Sequence, residues 1–312
     1  MDRKIKTIFA GTPDFAVPFL KSLISNDNFE VVGVLTQPDK PAGRKKIFTS
    51  SPIKIFALAN GIKIFQPDSL YDNETTDALK SLKPDILVVV AYGLIIPQEI
   101  LDIFEKGAIN VHPSLLPKYR GASPIQTAIL HGDKTSGITI ILMDEKLDHG
   151  PILSQIEVPI AKTDTNISLH RKMADLGVDL LLGTVKDYLD GKIKLQEQDH
   201  TKATYCKIIH REDAKINWDA SAEDIERQIR AYFPWPVAWT FKGGKRLKIF
   251  PPTQIIEDNN HKTGQIFITD NNLTVKCGSN ALLIKKLQPE GKSEMTSKDY
   301  INGNPNISST IL

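Results

Sequence analysis

Apolar residues come in short runs through the first part of the chain, separated by segments of a different period. Runs of strand length stand at residues 5–10, 30–35, 62–65, 86–90 and 108–111, with apolar residues at helical spacing in 15–25, 51–60 and 72–81. Strands alternating with helices predict βαβ units, hence an α/β fold with a doubly wound, mostly parallel, Rossmann-like sheet. The run Ile86-Leu87-Val88-Val89-Val90 is apolar at every position, which suits a central strand buried on both faces. Beyond it, 121–131 reads as a helix and 137–142 as a strand. Residues 164–188 read as a long amphipathic helix, with Ile167, Leu169, Met173, Leu176, Leu180, Leu181 and Val185 on its core face and Gly191 beyond its end.

After Gly191 the chain turns polar, and 191–205 reads as a linker. Ser221 with Asp224 then caps a short helix carrying Ile225, Ile229 and Tyr232, which Phe233-Pro234-Trp235-Pro236 stops. Short strand-like runs follow at 238–241, 246–250, 264–269, 273–277 and 281–287, punctuated by Gly, Asn and Asp. Five such strands predict a small OB-like β-barrel. The expected organisation is a Rossmann-like domain over 1–190, a linker over 191–205 and a barrel over 206–312.

At 312 residues the chain is long enough for two domains that each bury a core, and 41% hydrophobic with 24% charged residues gives no sign of disorder. Cys206 and Cys277 are too few for a disulfide framework and lack C-x-x-C spacing, which favours a reducing compartment. The strand-like run beginning at Lys4 leaves no room before it for a leader, and no apolar run reaches membrane-spanning length, so a cytoplasmic protein is expected. The net charge of +2 is too small to argue for nucleic-acid binding, but basic residues cluster locally. Lys40, Arg44, Lys45 and Lys46 share the long polar stretch 36–52, read here as a loop, and Lys242, Lys245, Arg246 and Lys248 surround a Gly-Gly turn. Such clusters are either a solvated surface or a place for phosphates, where Arg44 can bond bidentately.

Two nucleotide-binding signatures fail. The first βα turn, Gly11-Thr12-Pro13-Asp14-Phe15, lacks G-x-G-x-x-G spacing, and Glu290-Gly291-Lys292-Ser293 lacks the rest of a P-loop. The densest polar chemistry lies in residues 110–121, where a strand-like run ends in an amide, an imidazole, a hydroxyl and two prolines. Pro113 and Pro117 fix φ and push His112 and Leu116 toward extended conformations, so these groups are held in a loop at a strand end. Open α/β sheets bind ligands at such places. By itself a His-Pro followed by a distant Asp-x-Gly turn is more often structural than catalytic. Ser114 lacks a nucleophile elbow, and no His/Cys/carboxylate cluster suggests a metal.

Asn110-x-His112-Pro113-Ser114-Leu115-Leu116-Pro117, with Tyr119-Arg120-Gly121 and Asp148-His149-Gly150, resembles the signature of the folate-dependent formyltransferases. Ala10-Gly11-Thr12-Pro13-Asp14-Phe15-Ala16, Thr36-Gln37-Pro38-Asp39-Lys40-Pro41-Ala42-Gly43-Arg44 and Val90-Ala91-Tyr92-Gly93 are similar to stretches of its tRNA-acting branch, as is Asp219 after Trp218. The resemblance implies Asn110, His112 and Asp148 as catalytic residues, with Asn110 and His112 stabilising an oxyanion and Asp148 assisting proton transfer. It implies 10-formyltetrahydrofolate as cosubstrate without a metal, held by Ser114, Leu115, Leu116 and Pro117 with groups near Tyr92 and Asp144. As acceptor it implies methionyl-initiator tRNA, met by Arg44, Lys45, Lys46 and Arg211, and a monomer without a membrane partner. Ile208 and Asn217 stand where relatives often carry Lys and Asp, while Arg211 and Lys215 remain basic. A formyltransferase acting on an amino-sugar nucleotide or glycinamide ribonucleotide would share the Asn-His-Asp set without needing the basic loop or the barrel.

Overall fold

A computed structural model describes residues 3–42, 47–308 and 310–312. It divides the chain into two compact units: residues 1–124, 136–158 and 170–206, and residues 125–135, 159–169 and 207–312.

The first unit is built on a seven-stranded sheet in the order Ile152–Pro159, Thr135–Leu142, Ala108–His112, Ile86–Val90, Ile5–Gly11, Phe29–Leu35, Ile64–Phe65. Each of the pairs from Ala108–His112 through to Ile64–Phe65 is parallel, while Thr135–Leu142 runs antiparallel to Ala108–His112. The all-apolar Ile86–Val90 is fully buried, as a central strand flanked on both edges must be. Ile8, Ala10, Leu35, Leu79, Leu87 and Tyr92 belong to one core cluster on this sheet. Local chemistry marks the helix starts: Ser51 accepts the Lys54 N–H at 3.0 Å before Pro52–Ala59, and Asp72 accepts that of Thr75 at 2.7 Å before Asn73–Ser81. In the long helix Asn166–Leu189, Gly177 lies where a Cβ would stand 2.8 Å from Phe19, so the helix packs closely on the layer beneath. Leu176, expected in its core face, is 38% exposed.

Three stretches differ from the sequence expectation. Residues 36–52 are not one open loop, because Lys40–Ala42 and Ile47–Thr49 pair as an antiparallel hairpin. Ile152–Pro159, not anticipated as a strand, forms the sheet edge, its alternating buried and exposed positions giving the period of two. Residues 191–205, read as a linker, include a tightly bonded segment of the first unit. Gln196 pairs with Ile152, and Tyr205–Cys206 forms a parallel ladder with Arg120–Gly121.

The second unit centres on an antiparallel sheet in the order Trp239–Lys242, Lys245–Ile256, Ala281–Pro289, Asn272–Lys276, Ile266–Thr269, with Met295–Thr296 added to Ala281–Pro289. The register shift between Phe250 and Thr253 curls this sheet, giving the barrel-like shell expected from the short strands. Ala222–Ala231, capped by Ser221, buries Ile225 and Ile229 in a core shared with Trp218, Leu247, Ile249 and Leu282. No helix among the described residues is long and apolar enough to cross a membrane.

Candidate active site

Strand Ala108–His112 lies between Ile86–Val90 and Thr135–Leu142, with Asn110 opposite Val89 on one side and Ile141 on the other. Side chains two apart on a strand share a face, so Asn110 and His112 project together. Asp148 reaches them from the turn after Thr135–Leu142, where its backbone adopts a left-handed φ of +48°. Left-handed backbone is costly for a residue with a Cβ, although Asp tolerates it better than most.

The three side chains meet. Asn110 Nδ2 donates to Asp148 Oδ1 at 3.2 Å, and His112 Nδ1 lies 3.5 Å from the same oxygen. Asp148 Oδ2 accepts the Gly121 N–H at 2.8 Å. His112 Nε2 lies 2.9 Å from the Tyr119 carbonyl, which only accepts, so Nε2 carries a proton and donates there. Nδ1, beside Asp148, is therefore the ring nitrogen left to exchange a proton. The His112 side chain is 5% exposed and that of Asp148 9%, so their interaction is weakly screened. Two glycines permit the approach. A Cβ on Gly121, at φ +110°, would meet the Cys206 carbonyl at 2.5 Å, and one on Gly150 would stand 1.9 Å from that of Leu142.

The loop after His112 is pinned from the neighbouring strand. Thr139 Oγ1 accepts the Leu116 N–H at 3.0 Å and donates to the Ser114 carbonyl at 2.6 Å, while Ser114 Oγ donates to the Lys118 carbonyl at 2.6 Å. Of the residues expected to meet a folate, Ser114 is fully buried with its hydroxyl turned into its own loop, and Leu116 packs with Ile141 and Ile152. The half-buried Leu115 lies against Gly137, and Pro117 follows a cis peptide bond. The Tyr92 ring is buried in the sheet core, where desolvation pushes its phenol upward, and its carbonyl accepts from Thr12 Oγ1 and Gln37 Nε2. Asp144 pairs through Oδ2 with His149 Nδ1 at 2.6 Å and accepts the Lys146 N–H through Oδ1. The loop backbone, Leu115 and Pro117 therefore offer a ligand more than do the side chains of Ser114, Leu116 or Tyr92.

Arg44, Lys45 and Lys46 lie outside the described residues. Arg211 lies in the second unit, exposed at the start of a short 3-10 helix, Arg211–Ala214, where its carbonyl accepts from Trp239 Nε1 at 3.0 Å. That unit contains a cleft of about 350 Å³ lined by Lys215, Asn217, Trp218, Asp219 and Phe241 among others. Sequence reasoning missed Thr139, which fixes the loop, and Gln198, whose amide contacts the Asp148 turn. Arg120, a charged residue within the Tyr119-Arg120-Gly121 motif, is 2% exposed. A period-two count places Thr139 on the same buried face as Gly137 and Ile141, but nothing local flags Gln198.

Residues 3–185 match the family model for formyl transferase, and residues 208–305 match that for the formyl transferase C-terminal domain. The chain is similar to the methionyl-tRNA formyltransferase of Pseudoalteromonas translucida, at 43% identity over 97% of this chain and 95% of that protein. It is 43% identical to the methionyl-tRNA formyltransferase of Bacillus subtilis over 96% and 94% of the two chains, and to that of Caldanaerobacter subterraneus over 99% and 100%. Among solved structures, an N-formyltransferase from Helicobacter canadensis, in complex with folinic acid and dTDP-3-aminofucose, matches with a TM-score of 0.68 at 21% identity. The match covers 91% of this chain and 99% of that one. HypX from Aquifex aeolicus with tetrahydrofolic acid matches with a TM-score of 0.66 at 16% identity over 96% of this chain and 47% of its own. These two establish likeness of fold.

Proposed function

The chain belongs to the formyl transferase family, and from that premise we propose that it moves a formyl group from 10-formyltetrahydrofolate to the α-amine of methionyl-initiator tRNA. The observation that carries the reading is the meeting of Asn110, His112 and Asp148 in one weakly solvated place, in a chain whose near-full-length relatives carry that activity in their names. The bound donor supplies the formyl carbon and a nitrogen leaving group. The protein has to stabilise negative charge on the carbonyl oxygen as the amine adds, and to move the proton that the amine gives up.

Asn110 gives one amide hydrogen to Asp148 and keeps the other for the oxygen. His112 holds its Nε2 proton on the Tyr119 carbonyl, so as an acid it uses the second proton of its imidazolium form, on Nδ1, giving it to the oxygen or the leaving nitrogen and returning to the neutral ring. Asp148 stabilises the imidazolium and accepts the amine proton directly or through water. Leu115, Pro117 and the backbone of residues 113–118 shape the donor side, with the 144–148 turn facing the pterin. The basic residues of the 36–52 stretch and Arg211 meet the tRNA, chiefly through phosphates, which fix position without reading sequence.

An acceptor comparison tests this reading. The purified chain with 10-formyltetrahydrofolate is offered methionyl-initiator tRNA, free methionine, an amino-sugar nucleotide and glycinamide ribonucleotide. Transfer to the aminoacylated tRNA alone is expected. Transfer to either small amine in its place would move the protein to another branch of the family.

A further inference from the structure

The turn that presents Asp148 is held from behind by a polar chain that the reaction does not use. Gln198 is buried, and its Nε2 donates to the Asp148 carbonyl at 3.0 Å and to the Gly150 carbonyl at 2.8 Å. Its Oε1 accepts from Arg120 Nη2 at 2.7 Å. A guanidinium only donates and a carbonyl only accepts, so the amide has one consistent orientation and all its strong bonds are made. The same Arg120 Nη2 donates to His200 Nδ1 at 2.8 Å, which leaves the His200 proton on Nε2. The His200 ring stacks on His149, with centroids 4.0 Å apart and planes at 7°, and His149 is bonded to Asp144. The turn is thus gripped at Asp148, at His149 and at Gly150.

Two features show why such a grip is needed. Asp148 sits at a φ of +48°, a backbone conformation that persists only when the surroundings over-determine it. Arg120 is buried beside neutral partners, and its Nε has no partner, an expensive arrangement for stability alone. Its main-chain neighbour Gly121 donates to Asp148 Oδ2, so residues 120 and 121 fix the aspartate twice: the carboxylate directly and the backbone through Gln198. Thr204 carries the strap further, its carbonyl accepting the Arg120 N–H and its Oγ1 that of Tyr119, each at 2.9 Å.

We propose that Gln198, backed by Arg120, is a positioning residue that sets the Asp148 carboxylate against His112 and Asn110. It touches no reacting atom; it acts through the turn. The inference rests on the formyl-transfer reading for its kinetic test.

Two substitutions separate positioning from stability. Gln198→Met keeps the side-chain length and removes every hydrogen bond. Gln198→Glu keeps an acceptor for Arg120, in a charged pair, but turns both donors into acceptors facing two carbonyls. A displacement of about 1 Å in a catalytic group costs on the order of 10²-fold in rate. Both variants should lose about that factor in kcat, with KM for the folate donor changed by less than about 3-fold and a cooperative thermal transition retained. Because Gln198 acts through Asp148, Gln198→Met added to Asp148→Asn should cost less than about 3-fold more. Native kcat in Gln198→Glu, or a full additional loss on the Asp148→Asn background, would overturn the proposal. If Gln198→Met does not fold, Gln198→Glu carries the test in the same cycle. If the native chain transfers no formyl group, the functional reading fails separately. Hydrogen exchange at the amides of residues 148–150 then decides: faster by about 10-fold in Gln198→Glu supports the grip, and unchanged exchange refutes it.

Discussion

Replacing Asp148 by Asn keeps the size of the side chain and removes its charge. The Gly121 N–H, now 2.8 Å from Oδ2, requires an acceptor, so the new amide must turn its oxygen there. Its NH2 then faces Asn110 Nδ2 and His112 Nδ1, where the native structure has an oxygen at 3.2 and 3.5 Å. A donor is set against the Asn110 donor, and against Nδ1 once the ring is protonated, so an imidazolium formed during transfer loses its anionic neighbour and meets a donor in its place. At 3.5 Å and an effective dielectric constant of about 20, the gross attraction between the two charges is roughly 4–5 kcal/mol. Desolvation offsets part of this, so at about 1.4 kcal/mol per factor of ten the loss is bounded near 10³-fold. Single-turnover formyl transfer should slow by 10²- to 10³-fold, on the order expected for a lost charge-stabilising group. The variant's folding is checked by its thermal transition. A well-folded Asp148→Asn protein within about 3-fold of the native rate would refute the assignment.

Three further outcomes are expected. Ser114→Ala removes a fully buried hydroxyl bonded to the Lys118 carbonyl, costing about 1 kcal/mol, a fall of roughly 2–4 °C in Tm, with little change in donor KM; a large KM rise would mean that the hydroxyl meets the folate. Burial alone would raise the Asp258 carboxyl, but side-chain and backbone hydrogen bonds from His261 outweigh it, and the group titrates below the ordinary carboxylate range. Its contribution to stability is therefore present above about pH 4 and lost as pH falls below that, so acid unfolding of the second unit should flatten in Asp258→Asn; an unchanged pH dependence contradicts it. Arg44→Ala should raise KM for the aminoacylated tRNA and weaken its salt dependence without altering donor binding; an equal loss for both substrates would make the 36–52 stretch structural.

The residues that identify the chemistry are contiguous or nearly so, and the sequence displays them. Asn110 and His112 share a strand face by the period of two, and the prolines beside them announce a rigid loop. The central strand Ile86–Val90 is legible for a similar local reason, since five apolar residues suit burial on both faces. What holds the site is written differently. Gln198 lies in a polar stretch that reads as solvated linker, and its burial follows from a ladder between Tyr205–Cys206 and Arg120–Gly121, some 80 residues apart along the chain. No periodicity encodes such a pairing. Arg120 shows the same limit: a charge after Tyr119 reads as surface, and only the partners brought by the strap explain its burial. Ser114 and Leu116 show another limit: the motif marks them for ligand contact, and only the packing shows that their side chains turn inward, which leaves such contact to their backbone. The strand Ile152–Pro159 was readable in principle, its alternation being present but short and interrupted by Ser154 and Gln155.

The most direct test of formyl transfer to the initiator is the mass of the amino acid itself. The native chain is incubated with 10-formyltetrahydrofolate carrying an isotopic label on the formyl carbon and with methionyl-initiator tRNA, and the methionine is then released and weighed. Methionine bearing one labelled formyl group on its α-nitrogen is expected, formed more slowly, by about 10²-fold or more, with Asp148→Asn. Unmodified methionine, with the label found on a small amine supplied in the same mixture, would contradict transfer to the initiator.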